Sequence, residues 1–152
     1  PDSQLDRFLL RLSIGYPDPA DELELLRRRQ YGQAMEPVRQ ILTLEELERL
    51  QQLVDNIHIG DEVLQYIVRL VNATRTHPQL AQGASPRAAL AVAAASRAAA
   101  FLRNRDYVIP EDVQCIWLDA IAHRLIPVPG AEGSADTVAA EILKAVNPPR
   151  IR

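Results

Sequence analysis

The fold class of this chain is decided by GASPRAALAVAAASRAAAFLRNR, residues 83–105. Ser85 is a favoured N-cap and Pro86 suits the first helical position, so a helix begins here. Alanine has the highest helix propensity and a small side chain, so the run predicts a helix that neighbouring helices approach closely. Arg103 and Arg105 suit the negative end of its dipole. A partner-binding groove on the alanine face is the alternative.

Caps and apolar spacing predict further helices on both sides of this run. They are expected from Asp18 with Pro19 to about Gln30, from Thr43 with a capping box to Glu46, from Gly60 or Asp61 to before Pro78, from Pro110, and from Ser134 to about Val146. Pro37 interrupts a connector over residues 32–42. The chain therefore reads as an all-α helical bundle.

One segment departs from this helical pattern. FLLRLSI, residues 8–14, has apolar and β-compatible side chains over the length of a strand, and Gly15 and Pro17 end it. A single strand cannot form a sheet, so it either pairs with sequence outside this chain or lies against the helices. The bundle is thus expected to carry a short N-terminal strand-like stub.

Composition limits the classes of function. The 152 residues are 47% hydrophobic, enough for one packed domain, with a net charge of −3 and only 5% aromatic residues. No dense basic run or stacking surface indicates a nucleic-acid partner, and no apolar run approaches the roughly 20 residues of a membrane span. Cys115, the only cysteine, is expected to be a buried structural thiol beside Trp117. Three histidines without ligand spacing predict no metal site.

Arg87 is a candidate phosphate-binding residue on physical grounds alone. It falls in the first turn of a capped helix, where unpaired backbone amides and the positive end of the dipole favour anions. Its guanidinium adds a planar fork of donors for phosphate oxygens. An ordinary surface arginine at a helix start is the alternative.

Two segments resemble one protein family in order and spacing. SQLDRFLLRLSIGYPD, residues 3–18, resembles the segment that ends the ATPase core of MoxR-type AAA+ ATPases, and GASPRAALAVAAASRAAAFLRNRDYVIPEDVQ, residues 83–114, resembles their lid helix and the link after it. The resemblance implies an AAA+ lid-type bundle at residues 17–152, preceded by a remnant of the AAA+ core at residues 1–16. CIWLD, residues 115–119, departs from the family, which usually has small residues and a proline there.

The resemblance also implies roles for individual residues. Arg7 matches the arginine finger that reaches the γ-phosphate held by a neighbouring subunit, and Asp6 matches the acidic residue beside it at the subunit interface. Arg87 matches the sensor 2 arginine. Away from a neighbour's nucleotide, Arg7 is expected to be an ordinary surface arginine, and its position is expected to depend on a sheet that this chain does not contain.

A parent protein is implied that binds ATP and Mg²⁺. The chain begins at Pro1 without a methionine and contains neither a GxxxxGK[ST] phosphate loop nor a strand ending in paired acidic residues. We therefore expect a C-terminal fragment that binds no cofactor and hydrolyses no ATP alone.

Partners are implied by the family as well. They are the other subunits of a homo-oligomeric ring, most often a hexamer, and an unidentified client protein, remodelled or supplied with a metal cofactor in the cytoplasm. No nucleic acid and no membrane span are expected. The alternative is a stand-alone helical interaction or adaptor module, which would need neither arginine.

Overall fold

Helices dominate the part of the chain that the structure, a computed structural model, describes, which is residues 2–32 and 38–150. The α-helices are α1 (Asp2–Leu5), α2 (Pro19–Gln30), α3 (Leu44–Asp55), α4 (Asp61–Arg75), α5 (Pro86–Leu102), α6 (Pro110–Ile121) and α7 (Ala135–Ala145). A 3-10 turn, Ala122–Arg124, follows α6, and the short strands are β1 (Leu80–Gln82) and β2 (Ile126–Pro127). The predicted helical bundle is confirmed.

The helices begin where side-chain caps predict them. Asp18 accepts from two backbone amides of the first turn of α2, each at 2.9 Å. Thr43 and Glu46 form the reciprocal capping box of α3, with bonds of 2.7 and 3.2 Å. Ser134 accepts from the Thr137 amide at 3.2 Å and starts α7. These bonds satisfy amides that have no partner within a helix.

The alanines of α5 let neighbouring helices approach closely, as expected. Ala88, Ala95 and Ala100 are buried where α5 packs against α4 and α6. The centre of the core consists of large side chains from four helices, namely Tyr66, Ile67, Leu70, Val92, Val113, Trp117, Ile121 and Val138. The core therefore lies within α4–α7.

The predicted strand-like stub is neither a helix nor a strand, and it has no strand partner among the described residues. Residues 8–14 form no ladder, and their attachment to the helices includes a hydrogen bond of 2.8 Å from the Arg11 amide to the Asp119 carbonyl. Leu10 packs partly against the core, but every residue from 11 to 32 is exposed. The division between residues 1–16 and 17–152 stays a prediction.

A small sheet forms where the sequence predicts two loops. β1 and β2 pair antiparallel, with Leu80 opposite Pro127 and Gln82 opposite Ile126. Next to them the Val128 amide donates to the Gln79 carbonyl at 2.9 Å. The pairing fastens the loop before α5 to the segment after α6, which brings distant parts of the chain together at the start of α5.

The apolar stripe predicted for α3 lies mostly outside the core. Leu44 and Leu47 are exposed, and α3 buries no side chain fully. α2 likewise exposes all its side chains. Both helices are thus present as predicted, but local caps rather than core packing define them. The connector predicted over residues 32–42 lies partly outside the described residues, since 33–37, with Pro37, are not among them.

Candidate functional site

The N-terminus of α5 presents Arg87 to solvent. Ser85 is the N-cap and its hydroxyl accepts from the Arg87 amide at 3.2 Å, while Pro86 occupies the first helical position. Arg87 is exposed, so its guanidinium lies in water beside the positive end of the helix. The cap predicted from the sequence is confirmed, and this helix start suits an anion.

The loop before Ser85 is held tightly against the end of α4. The Ala84 amide donates to Thr74 Oγ1 at 2.9 Å, and Arg75 Nε donates to the Ala84 carbonyl at 2.9 Å. At Gly83 a Cβ atom would lie 2.6 Å from both the Arg75 Cα and the Thr74 carbonyl oxygen. Glycine is therefore needed at residue 83 for this close approach, which fixes the position of Ser85.

Asp6 joins the N-terminal segment to the start of α5. Its two carboxylate oxygens accept from the Ser85 hydroxyl at 3.0 and 2.9 Å. Its Oδ1 also accepts from Arg124 Nη1 at 2.8 Å, in an ion pair whose arginine side chain is 2% exposed and whose aspartate side chain is 23% exposed. Asp6, predicted from family resemblance to lie at a subunit interface, is thus largely enclosed by contacts within its own chain.

Arg7 and Arg87 lie on one open cavity of about 490 Å³. Its other walls are Asp6, Leu9, Leu90, Ala91 and Arg124. Among the side chains that the structure describes, those of residues 4–32 and 38–150, no acidic group lies within ion-pair distance of either the Arg7 or the Arg87 guanidinium. The structure thus brings the two predicted arginines together, with Arg7 exposed as predicted. The segment that carries Arg7 is held by the helical body, not by a sheet.

Arg124 is a functional candidate that the sequence analysis missed. It lies in the 3-10 turn after α6, outside both motifs, yet it borders the same cavity. The available signal was its position as a charged residue in the otherwise mostly apolar run AHRLIPV, residues 122–128. A charge that must be buried there needs a partner, and Asp6 supplies it.

A second charged cluster joins the end of α5 to the start of α6. Asp112 is fully buried; its carboxylate accepts from Arg105 at 2.5 and 2.6 Å, from Arg103 at 2.6 Å and from the Ile109 amide at 2.9 Å. Burial raises the pKa of the Asp112 carboxyl, but the hydrogen bonds from Arg105, Ile109 and Arg103 together hold it below its ordinary value. The two arginines predicted to offset the helix dipole thus hold a buried carboxylate.

The structure corrects the prediction for Cys115 and shows that Trp117, two residues later, lies in the core. Cys115 is exposed, not buried, because it lies on the outer side of α6 next to Arg103, whose Nη1 is 3.5 Å from the sulfur. Trp117 is fully buried, and its indole Nε1 donates to the Ala139 carbonyl of α7 at 2.8 Å. Of the residues that depart from the family pattern, Trp117 therefore belongs to the core, whereas Cys115 lies on the surface.

No helix in the described ranges has the length and apolar character needed to cross a bilayer. Those ranges also contain no group of three or more His, Cys, Asp or Glu side chains that could hold a metal ion, although His77 Nε2 lies 3.8 Å from the Glu141 carboxylate. The candidate site is therefore the arginine-lined cavity at the start of α5.

Comparisons with known proteins show what this chain is similar to. Residues 72–145 match a family described as the AAA lid domain. The chain is 40% identical to chaperone MoxR1 of Mycobacterium tuberculosis over 94% of its own length, and 38% identical to the uncharacterised protein YeaC of Bacillus subtilis over 98%. It spans less than half of these relatives, 39% of the first and 48% of the second.

A solved structure matches the whole arrangement of elements. It is the crystal structure of a Cytophaga hutchinsonii protein described provisionally as an ATPase, with a TM-score of 0.87 and 30% sequence identity. The superposition covers 99% of this chain and 49% of that protein. The family match begins in α4 and ends in α7, so it includes Arg87 and Arg124 but not Arg7.

Proposed function

Because this chain belongs to the MoxR-type AAA+ ATPases and carries their lid domain, we propose that Arg87 senses the phosphates of ATP. In the same proposal Arg7 is an arginine finger. Sequence similarity supports the family, and the geometry of the two arginines supports their roles.

The observation that carries the proposal is the shared cavity of Arg7 and Arg87. Two guanidinium groups with no acidic partner among the described side chains, those of residues 4–32 and 38–150, offer forks of donors to an anion. The capped start of α5 adds the positive end of a helix dipole. A polyphosphate is the anion that uses this arrangement best, since charge on the transferred phosphoryl group is stabilised by such donors.

The shared cavity also bears on which subunit holds the nucleotide that the two arginines contact. If Arg7 reaches a nucleotide on a neighbouring subunit, Arg87 faces that same nucleotide, because both residues line one cavity. We therefore place both arginines in trans to the subunit that binds the ATP. The alternative, in which Arg87 serves the nucleotide of its own subunit, predicts a different result in mixed rings.

The remaining parts of the reaction belong to other sequence. The chain has no phosphate loop, so in this proposal other sequence of the complete gene product binds the ATP and its Mg²⁺. We propose a homo-oligomeric ring, with a hexamer as the expected form, that remodels a client protein or supplies it with a metal cofactor. We place it in the cytoplasm, where ATP is available and the Cys115 thiol stays reduced.

The test uses Arg87→Ala and Arg7→Ala in the complete gene product that contains residues 1–152. Arg7→Ala is expected to lower the turnover of ATP by roughly 10³-fold or more, and Arg87→Ala is expected to lower it by about 10²-fold. Arg69→Ala, an exposed arginine on α4, is the matched control and should retain turnover. Unchanged turnover in both test variants contradicts the proposal and favours the adaptor function.

Mixed rings separate the two arrangements of Arg87. Subunits with Arg87→Ala are combined with subunits whose phosphate loop cannot bind ATP. If Arg87 acts in trans, an intact Arg87 on the second subunit serves the active site of the first, and turnover rises above that of either variant alone. A mixture that stays inactive places Arg87 in cis.

A further inference from the structure

Arg124 connects two parts of the chain that lie more than a hundred residues apart. Its Nε donates to the Ala120 carbonyl of α6 at 2.8 Å. Its Nη2 donates to the Phe8 carbonyl at 2.6 Å, and its Nη1 donates to both the carbonyl and the carboxylate of Asp6. One buried guanidinium thus holds α6 on one side and residues 6–8 on the other.

The buried charge makes this connection hard to open. The Arg124 side chain is 2% exposed, and Asp6 is the acidic group that pairs with it in the described part of the chain. If residues 6–8 moved away, the guanidinium would keep its bond to the Ala120 carbonyl but would lose its counter-charge and its other acceptors in the interior, which is strongly unfavourable. Opening by rotation of the arginine into water would break its bond to Ala120 as well.

Asp6 extends the connection to the start of α5. The same carboxylate accepts from the Ser85 hydroxyl, which itself caps the helix by accepting from the Arg87 amide. His123 adds a bond from its Nε2 to the Phe8 carbonyl at 3.0 Å. A continuous path of hydrogen bonds therefore runs from α6 through Asp6 to the backbone of Arg87.

We propose that Arg124 is a positioning residue that acts through Asp6. It fixes the segment that carries Arg7 to the N-terminus of α5, so that Arg7 and Arg87 keep one separation and move together with the helical body. The finger then follows the lid during the ATPase cycle. The effect on turnover rests on the proposed function, whereas the fixed position of residues 6–8 does not.

Hydrogen exchange in the 152-residue chain tests the fixed position directly. Arg124→Lys keeps the charge but cannot reach acceptors on both sides, because an ammonium lacks the planar fork. Exchange of the Arg7, Phe8 and Arg11 amides should become at least about tenfold faster, while the amides of α6 stay protected. Arg69→Lys is the control and should leave all these amides unchanged.

Asp6→Asn is the second variant, because a change at the fully buried Arg124 could unfold the chain. Asp6 lies at the rim of the body, with its side chain 23% exposed, so its replacement disturbs the core less. The same amides should again exchange faster. Protection that stays at the level of the unaltered chain in a folded variant overturns the proposal.

Kinetics in the complete gene product separate positioning from a merely structural role. Arg124→Lys should lower kcat about tenfold and leave KM within about twofold, because it misplaces Arg7 without removing a ground-state contact to ATP. Combined with Arg7→Ala, it should lower kcat no further than Arg7→Ala alone, because it acts through that residue. Losses that multiply in the double variant overturn the proposal. Full turnover without Arg7 and Arg87 would instead refute the proposed function, and the exchange data would still decide the position of residues 6–8.

Discussion

Replacing Asp112 with Asn tests the buried charged cluster between α5 and α6. Asn keeps one acceptor oxygen but points an amide donor at the guanidinium groups, so about two charge-assisted bonds are lost at roughly 1.5–3 kcal/mol each. The side chains of Arg103 and Arg105 are 48% and 20% exposed, so both can turn partly to water. We therefore expect the free energy of unfolding to fall by about 3 kcal/mol, which is the lower end of the range for breaking a buried ion pair. The Tm should fall by roughly 6–12 °C.

The pH dependence of this loss identifies its cause. Since the pKa of Asp112 lies below its ordinary value of 3.8 in the folded chain, its contribution to stability is complete above that value. It is lost as the pH falls through the lower, folded-state pKa. The difference in unfolding free energy between the unaltered chain and Asp112→Asn should therefore be constant from about pH 5 to 7 and shrink below about pH 4.

Urea unfolding followed by far-ultraviolet circular dichroism at several pH values measures this difference. Asp119→Asn is the matched control, since it makes the same chemical change at an exposed position of the same helix. It should change stability by no more than about 0.5 kcal/mol. A loss below about 1 kcal/mol for Asp112→Asn, or a difference that is independent of pH, would refute the reasoning.

Three further changes test close packing, the core and surface exposure. Gly83→Ala places a Cβ 2.6 Å from backbone atoms and should cost about 1–3 kcal/mol of unfolding free energy, measured by urea unfolding. Gly133→Ala is the control and should be nearly neutral, because its Cβ would meet its nearest atoms at 3.5 Å; equal effects would argue against the close approach at Gly83. Trp117→Phe removes a buried hydrogen bond and leaves a void, so the free energy of unfolding measured by calorimetry should fall by roughly 2–3 kcal/mol. A fall of less than about 1 kcal/mol would contradict the place of Trp117 in the core. Cys115 should react with a thiol reagent in the native chain without denaturant, and a thiol that titrates only after unfolding would contradict its exposure.

Local signals predicted most of the helices. Asp18, Thr43, Ser85 and Ser134 each begin a helix at the predicted residue, because an N-cap and its amide partners lie within three residues of one another. The alanine run likewise predicted close contacts for α5. These features depend on neighbouring residues alone, so the sequence contains all the information that determines them.

The parts that sequence analysis missed depend on contacts between distant residues. The pairing of Asp6 with Arg124 joins residues 118 apart, and no spacing rule connects them. The strands β1 and β2 are too short to show a pattern, and their pairing joins residues as far apart in sequence as Leu80 and Pro127. Cys115 was assigned to the apolar side of α6 because its sequence neighbours are apolar, but its rotation about the helix axis places it outside.

The candidate site likewise combines features that local sequence predicts with features that depend on distant contacts. Arg87 was predictable as an anion-binding residue because its cap, its proline and its helix are contiguous in sequence. The shared cavity of Arg7 and Arg87 could not be predicted in this way, because it depends on Arg124 and on the close approach at Gly83. The resemblance to a family named both arginines, and the structure adds the contacts that hold them together.

Trp117 gives the molecule a built-in optical probe. It is the only tryptophan among the 152 residues. It is fully buried where α6 packs against α7, whereas residues 11–32, which include α2, are exposed. Its emission therefore reports on the helical body alone, without background from the rest of the chain. In the 152-residue chain, an Arg124→Lys spectrum that matches the unaltered one would mean that the helical body keeps its interior when residues 6–8 are released, and a shifted spectrum would mean that the interior rearranges.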